Sequence, residues 1–315
     1  MDARLGLVGA RTRQAERMAC LAGASWSFAQ ASKYLHELSG LKVSSNTVRS
    51  VCQQESARIE AWQTCAAASE KYRKTPGRDE FQTDGTCVNT DQGWKEMRVG
   101  VFAKRACGWP ASSREWATRK LPKLALRVAF AARWPATAAR LGIRLNAPLD
   151  VWADGAKWIW ERVDFHFAFA RGTLDIYHAL EHVSAAAKVQ FGESATQAED
   201  WRNQAREALL NDGWPGITRV MDEARLTAVR GPQRAALTSL ANYLEPHAAR
   251  LNYAERLATG RPIGSGMIEG ACKNYIGRRL KQTGARWLVP NANRMAALGS
   301  LVYADQWTDY WAKPN

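Results

Sequence analysis

Long apolar runs are missing from this 315-residue chain: no window approaches 18 consecutive apolar residues, which excludes a membrane-spanning helix, and no membrane partner is expected. The N-terminus, Met1-Asp-Ala-Arg, lacks a charged-then-apolar pattern, so export is not expected. The six cysteines, Cys20, Cys52, Cys65, Cys87, Cys107 and Cys272, include no C-x-x-C pair. That argues against a disulfide framework or a cysteine zinc site and for a reduced, cytoplasmic chain. Acids are scarce: 30 Asp and Glu stand against 44 Lys and Arg, a net charge of +14. A charge of that sign favours an anionic partner, nucleic acid before an acidic membrane surface. What is plentiful is apolar: 46% hydrophobic residues exclude a disordered chain. The length suits two domains, or one catalytic domain with additions.

The positive charge is uneven. Met97–Leu149 carries eleven basic residues and one acid, Glu115; Gly270–Ala304 carries six and no acid. Two such stretches suggest phosphate-facing patches. Residues 25–56 read as helix, turn, helix. Ser27 caps a helix with Phe28, Ala31, Leu35 and Leu38 at helical spacing, and Gly40 stops it. Ser44 or Ser45 caps a second helix with Val48, Val51 and Cys52 inside, leaving Asn46, Thr47, Arg49 and Ser50 for a DNA groove. A connector helix over 57–78 is expected to follow.

Beyond Pro76-Gly77 the pattern changes. Phe81–Asn89 is extended and β-rich, Asp91-Gln92-Gly93 is a turn, and Trp94–Ala103 alternates with Met97, Val99, Val101 and Ala103 on one face: a β-hairpin. Lys123–Phe130 reads as a third strand, Pro135–Leu141 as a helix, Leu149–Ala153 as a strand and Ala156–Val163 as a helix. Thr173-Leu174-Asp175 closes the strand series. A helical region runs from Ile176 to about Thr259, then helices cover Met267–Lys281 and Asn291–Tyr303. The expected fold is α/β: a mixed sheet of the ribonuclease H-like order with a helical insertion, behind an all-α helix-turn-helix segment. The expected division is 1–56 for the DNA-binding segment, 57–78 for the connector, 79–182 and 262–315 for the catalytic domain, and 183–261 for the insertion.

Two aspartates end short strands before glycine, Asp84-Gly85 and Asp154-Gly155. Aspartate is a poor strand residue, so each needs a reason, whether an Asp-Gly turn or chemistry. At 100° per residue Glu269 falls with Cys272, Ile276 and Leu280 on an apolar stripe, where a carboxylate needs a partner or a metal. Lys273, one turn on, is the plain alternative partner. Three acids at these points suit a two-metal site, because Mg²⁺ takes oxygen ligands and a pair of ions can drive phosphodiester chemistry.

The stretches Thr83-Asp84-Gly85-Thr86, Gly93-Trp94-Lys95-Glu96, Ala153–Trp160, Asp175–His182 and Ile263–Glu269 resemble, in this order, the DDE transposases of ISKra-type insertion sequences, in the Mutator-like group. The resemblance runs from about Leu5 to Tyr303. It implies Asp84, Asp154 and Glu269 as the Mg²⁺-binding catalytic triad, with Mn²⁺ as substitute, and Asp175 and His178 as the Asp-x-x-His signature. It also implies a nucleoid-associated enzyme, forming a homo-oligomer on double-stranded DNA, that cuts element ends and joins them to target DNA. Members of that group carry more sequence ahead of the segment resembling Asp2–Leu7, which bears on autonomous transposition and not on the catalytic domain. Lys273, Arg278, Arg279, Lys281 and Arg286 are the expected phosphate contacts, with Trp287 stacking. Ser265 is the expected cap of the Glu269 helix. Two alternatives remain: a non-catalytic DNA-binding regulator derived from a transposase, and a zinc peptidase built on His178-Ala-Leu-Glu181-His182, which fits H-x-x-E-H.

Overall fold

The computed structural model describes residues 7–8, 11–65, 69–105, 123–130, 133–193 and 196–312. The middle of the first basic stretch, with Cys107, Arg114, Glu115, Arg119 and Lys120, lies outside the described residues.

Five strands make one sheet: β1 (Arg78–Thr90), β2 (Gly93–Arg105), β3 (Lys123–Phe130), β4 (Leu149–Ala153) and β5 (Ala170–Leu174), in the order β3-β2-β1-β4-β5. β1 and β2 form a long antiparallel hairpin in which Thr90 pairs with Gly93. β3 adds antiparallel to β2, while β4 lies parallel to β1 and β5 parallel to β4. The protein is therefore mixed α/β, with a small mixed sheet and many helices. Strand alternation gives the sheet two different faces. Phe81 and Phe102 stack at 4.5 Å on one side, against Phe167 and against Trp134, the first residue of α5 (Trp134–Arg140). Gly100 crosses this layer; a Cβ there would stand 2.6 Å from the Phe81 ring. Val88, Met97, Val99 and Val101 line the other side.

The N-terminal helices are α1 (Arg13–Ser25), α2 (Phe28–Ser39) and α3 (Ser45–Thr64), each started by a hydroxyl cap: Thr12, Ser27 and Ser44. Gly40 stops α2 in the left-handed conformation, at φ 70°. Leu38 is 78% exposed and not part of the inner face. The connector is broken: α3 ends at Thr64, and α4 covers only Glu70–Lys74. Nor is 1–56 a separate unit. Val48, Val51 and Cys52 share one core with Val99 and Val101 of the sheet, and with Ile268, Ile276 and Leu298 from the end of the chain. The insertion packs α7 (Ile176–Phe191) against α8 (Thr196–Thr227), α9 (Gly231–Leu244) and α10 (Tyr253–Ala258) in a core of its own. Gly213 and Pro215 interrupt α8. No helix among the described residues is long and apolar enough to cross a membrane.

Candidate active site

The last paired residues of β1 and β4 are Thr83 and Ala153. Asp84 follows inside β1, which runs on to Thr90 instead of ending there as expected, and Asp154 follows just past the end of β4; neighbouring strands lie about 4.8 Å apart. Asp84 lies on the face of Val99 and is half-buried; burial first, and the charge of Asp154 second, hold its carboxyl above its ordinary value. Its Oδ1 accepts from the Gly85 amide at 2.6 Å. Asp154 Oδ1 accepts from Ala156 N at 3.0 Å, an Asx-type turn that leads into α6 (Lys157–His166).

A polar residue two positions ahead of Asp84 docks the next element. Gln82 is buried, and its Oε1 accepts from the amides of Met267 (3.0 Å) and Ile268 (3.2 Å), the first turn of α11 (Gly266–Ala271). Helix starts leave free N–H groups, and here a strand side chain satisfies two of them. Ser265 does not cap the helix with its hydroxyl, as expected; it donates Oγ–H and N–H to Asp175 Oδ2 instead.

Asp175 is the hub of the region. It is buried, its Oδ1 accepts from Tyr177 N (2.7 Å) and His178 N (3.2 Å), and its own amide donates to Ala153 O at 2.8 Å. One residue thus ties together three places: its amide holds the end of β4, and its carboxylate holds the start of α7 and the loop into α11. Burial opposes its ionisation, but the bonds from His178 and Ser265 outweigh burial and hold the carboxyl below its ordinary value. His178 Nδ1 lies 3.5 Å from Asp175 Oδ1. That partner raises the imidazole to about 9, against the opposing effect of burial. The charges of His178 and Asp84 also act on each other.

Glu269 departs from the sequence expectation. Its side chain is 54% exposed and bonds Lys273 Nζ at 2.6 Å, the plain i,i+4 pair. A 100° wheel fails here because residues 272–277 form a π turn, with a wider repeat than an α-helix. The buried stripe is Ile268, Cys272, Ile276 and Leu280. Cys272 stands against Asp84; burial, then that carboxylate, push the thiol up to about 12. Among the described residues no group of three or more His, Cys, Asp or Glu side chains is close enough to hold a metal. The Asp84–Asp154 pair nonetheless fits a hard divalent cation: both donors are oxygens, and their mutual charge is not cancelled between them. The H-x-x-E-H segment does not converge. His182 stacks flat on Tyr243, with ring centroids 3.5 Å apart, while His178 faces Asp175.

The basic candidates divide. Arg278 and Arg49 are exposed, with no side-chain partner among the described residues. Thr47 lies at the start of α3, where its amide and hydroxyl engage Ser44. Lys281 reaches Thr86 Oγ1 at 2.5 Å, on the sheet face of Asp84. Arg286 bonds the hairpin-turn carbonyls of Thr90 and Asp91. Two expectations are corrected. Arg279 is buried, donates to Gly23 O at 2.6 Å, and lies over Phe28 and Trp287; burial lowers it to about 10. It ties α1 to the chain end and has no surface to offer a phosphate. Trp287 gives its indole N–H to Leu280 O, meets Phe28 in a T-shaped contact and packs, partly buried, on the core, which supplies a packing role in place of the expected stacking one.

Sequence reasoning missed Gln82 and the aromatic residues Tyr243 and His247. The signal for Gln82 was a polar residue inside a strand that otherwise needs apolar ones. No family model and no curated protein matches the chain.

Proposed function

We propose that the protein is a transposase: a metal-dependent enzyme of ribonuclease H-like fold that hydrolyses phosphodiester bonds at the ends of an insertion sequence and transfers the 3′ strands to target DNA. The observation that carries this reading is the parallel register of β1 and β4, which sets Asp84, in the middle of β1, beside Asp154, just past the end of β4. The strand order, with β1 flanked by antiparallel β2 and parallel β4, is compatible with that fold. When bound, Mg²⁺ or Mn²⁺ supplies an activated oxygen nucleophile and charge stabilisation at the leaving oxygen.

The remaining work falls to the chain. Asp84 and Asp154 would hold the cation, with Glu269, paired with Lys273 in this structure, as the third carboxylate of the proposed site. Gln82 keeps α11 seated on β1, and Asp175 fixes the end of β4 against the loop before that helix. Lys281 and Arg278 add positive charge for the DNA backbone, beyond the +14 of the whole chain. The protein is expected to cleave DNA carrying element ends in Mg²⁺ or Mn²⁺. Asp84→Asn, Asp154→Asn and Glu269→Gln should each abolish cleavage and leave DNA binding intact, as followed by gel assay. Full activity in any of the three overturns the assignment.

One observation favours a second reading. Glu269 engaged by Lys273 suits a DNA-binding regulator that has given up catalysis. That reading requires DNA binding without cleavage in either metal.

A further inference from the structure

Asp154 sits in a short turn held locally by Ala156 N on its Oδ1 and by the Trp160 indole N–H on its carbonyl (2.7 Å), and the helical insertion grips the next residue of that turn from outside. Tyr243, in α9, brings its hydroxyl to accept from Gly155 N at 3.2 Å. Four residues on, His247 brings Nε2 to Gly155 O at 3.2 Å. The tautomer follows from the neighbour: Nδ1 faces Arg250 Nη1 at 3.5 Å, and a guanidinium only donates. Nδ1 is then the accepting nitrogen, and Nε2 carries the hydrogen given to Gly155 O. Both backbone groups of the residue after Asp154 are thus engaged from α9 and the 3-10 turn that follows it (Glu245–Arg250), nearly 90 residues away in sequence. The approach is close enough to dictate the residue type: a Cβ at position 155 would lie 2.4 Å from the Tyr243 ring. The ring itself is held by its stack on His182.

We propose that the insertion is a positioning clamp for Asp154, with Tyr243 and His247 as its two jaws, so that seating of α9 on α7 sets the aim of this carboxylate. The inference rests on the reading of Asp154 as a catalytic carboxylate. The two histidines next to Tyr243 then orient side chain and turn; neither they nor Tyr243 touch the reacting atoms.

Tyr243→Phe removes one hydroxyl and keeps the ring and its stack, so the fold should survive; a thermal melt checks this. Tyr253→Phe, which removes another buried hydroxyl from the insertion, is the control. Two measurements are compared. Amide hydrogen exchange at Gly155 should speed up several-fold in Tyr243→Phe and stay unchanged in Tyr253→Phe. In Mn²⁺-dependent cleavage, Tyr243→Phe should lower kcat about tenfold with DNA affinity unchanged, the signature of a misaimed group and not of lost binding. Unchanged exchange in Tyr243→Phe overturns the clamp. Faster exchange with wild-type kcat overturns its catalytic meaning. A wild-type protein that cuts DNA with neither metal defeats the functional reading, and the positioning role with it, while exchange still decides whether the insertion holds the turn.

Discussion

Aspartate at position 84 pays for its place with an unfavourable ionisation, because burial and Asp154 both resist the charged form. A carboxyl held above its ordinary value costs the fold stability at neutral pH, and that cost disappears as pH falls toward about 4, the unfolded value. Asp154→Asn removes one of the two charges, and its Oδ1 still accepts from Ala156 N. The metal-free variant should therefore melt at or above the parent at neutral pH, with the gain vanishing in acid. It should also lose most of the melting-temperature rise that Mn²⁺ gives the parent. An ordinary turn role predicts a loss of about 0.5–2 kcal/mol and an intact Mn²⁺ response. Asp175 predicts the opposite behaviour. Asp175→Ala strips a buried hub of its partners and should cost about 2–4 kcal/mol by denaturant melt. The share owed to His178 is present below about pH 6.5 and is lost as pH rises through about 9, where the imidazole gives up its proton. The share owed to the depressed Asp175 carboxyl is present above about pH 3.9 and is lost below it. The parent's advantage over the variant should thus be widest between those limits.

Elements were legible in the sequence where one physical signal dominates. β-rich composition marked β1, alternation marked β2, and the hydroxyl-then-apolar pattern marked α2 and α3, because burial on one face and a free helix start both leave a local trace. The strand run at Leu149–Ala153 was legible too, although Asp150 lies inside it; its partner Arg256, fully buried at 2.5 Å, comes from α10 and has no local signal. The face of Glu269 was not legible, because a wheel assumes an α repeat and the π turn at 272–277 breaks it. Helix α11 depends instead on a strand. Gln82→Ala leaves the Met267 amide without its buried acceptor and the Ile268 amide with Ser265 O alone (3.0 Å), which should cost about 1–3 kcal/mol. Cleavage should fall further than this stability loss explains at temperatures well below the melt, since the helix that carries Glu269 loses its seat. Equal activity per folded molecule, measured at such a temperature, would make Gln82 a purely structural residue.

Across the whole molecule the helix-turn-helix segment and the end of the chain are one body, which the linear order of motifs conceals. Glu55 of α3 is buried under Arg13 (2.7 Å), Arg58 (3.0 Å) and the hydroxyl of Tyr310. Arg279 adds a second link, from the C-terminal region to α1. DNA held by α3 would accordingly be held at a fixed place relative to the carboxylates, not by a tethered arm. Salt dependence of DNA affinity separates the cations that face phosphate from those that hold this body together. Each phosphate contact contributes roughly 0.9 to the slope of log affinity against log salt. Arg278→Ala and Arg49→Ala should each flatten the slope by up to about one unit and leave the melting temperature within about a degree, because both side chains are exposed and unpartnered among the described residues. Arg279→Ala should do the reverse. It vacates a buried site between Phe28 and Trp287 and strands the Gly23 carbonyl, so it should lower the melting temperature by several degrees while the slope stays that of the parent. A flattened slope in Arg279→Ala at a temperature where the variant is folded would put DNA against the α1 junction and move the proposed interface away from α3 and Arg278.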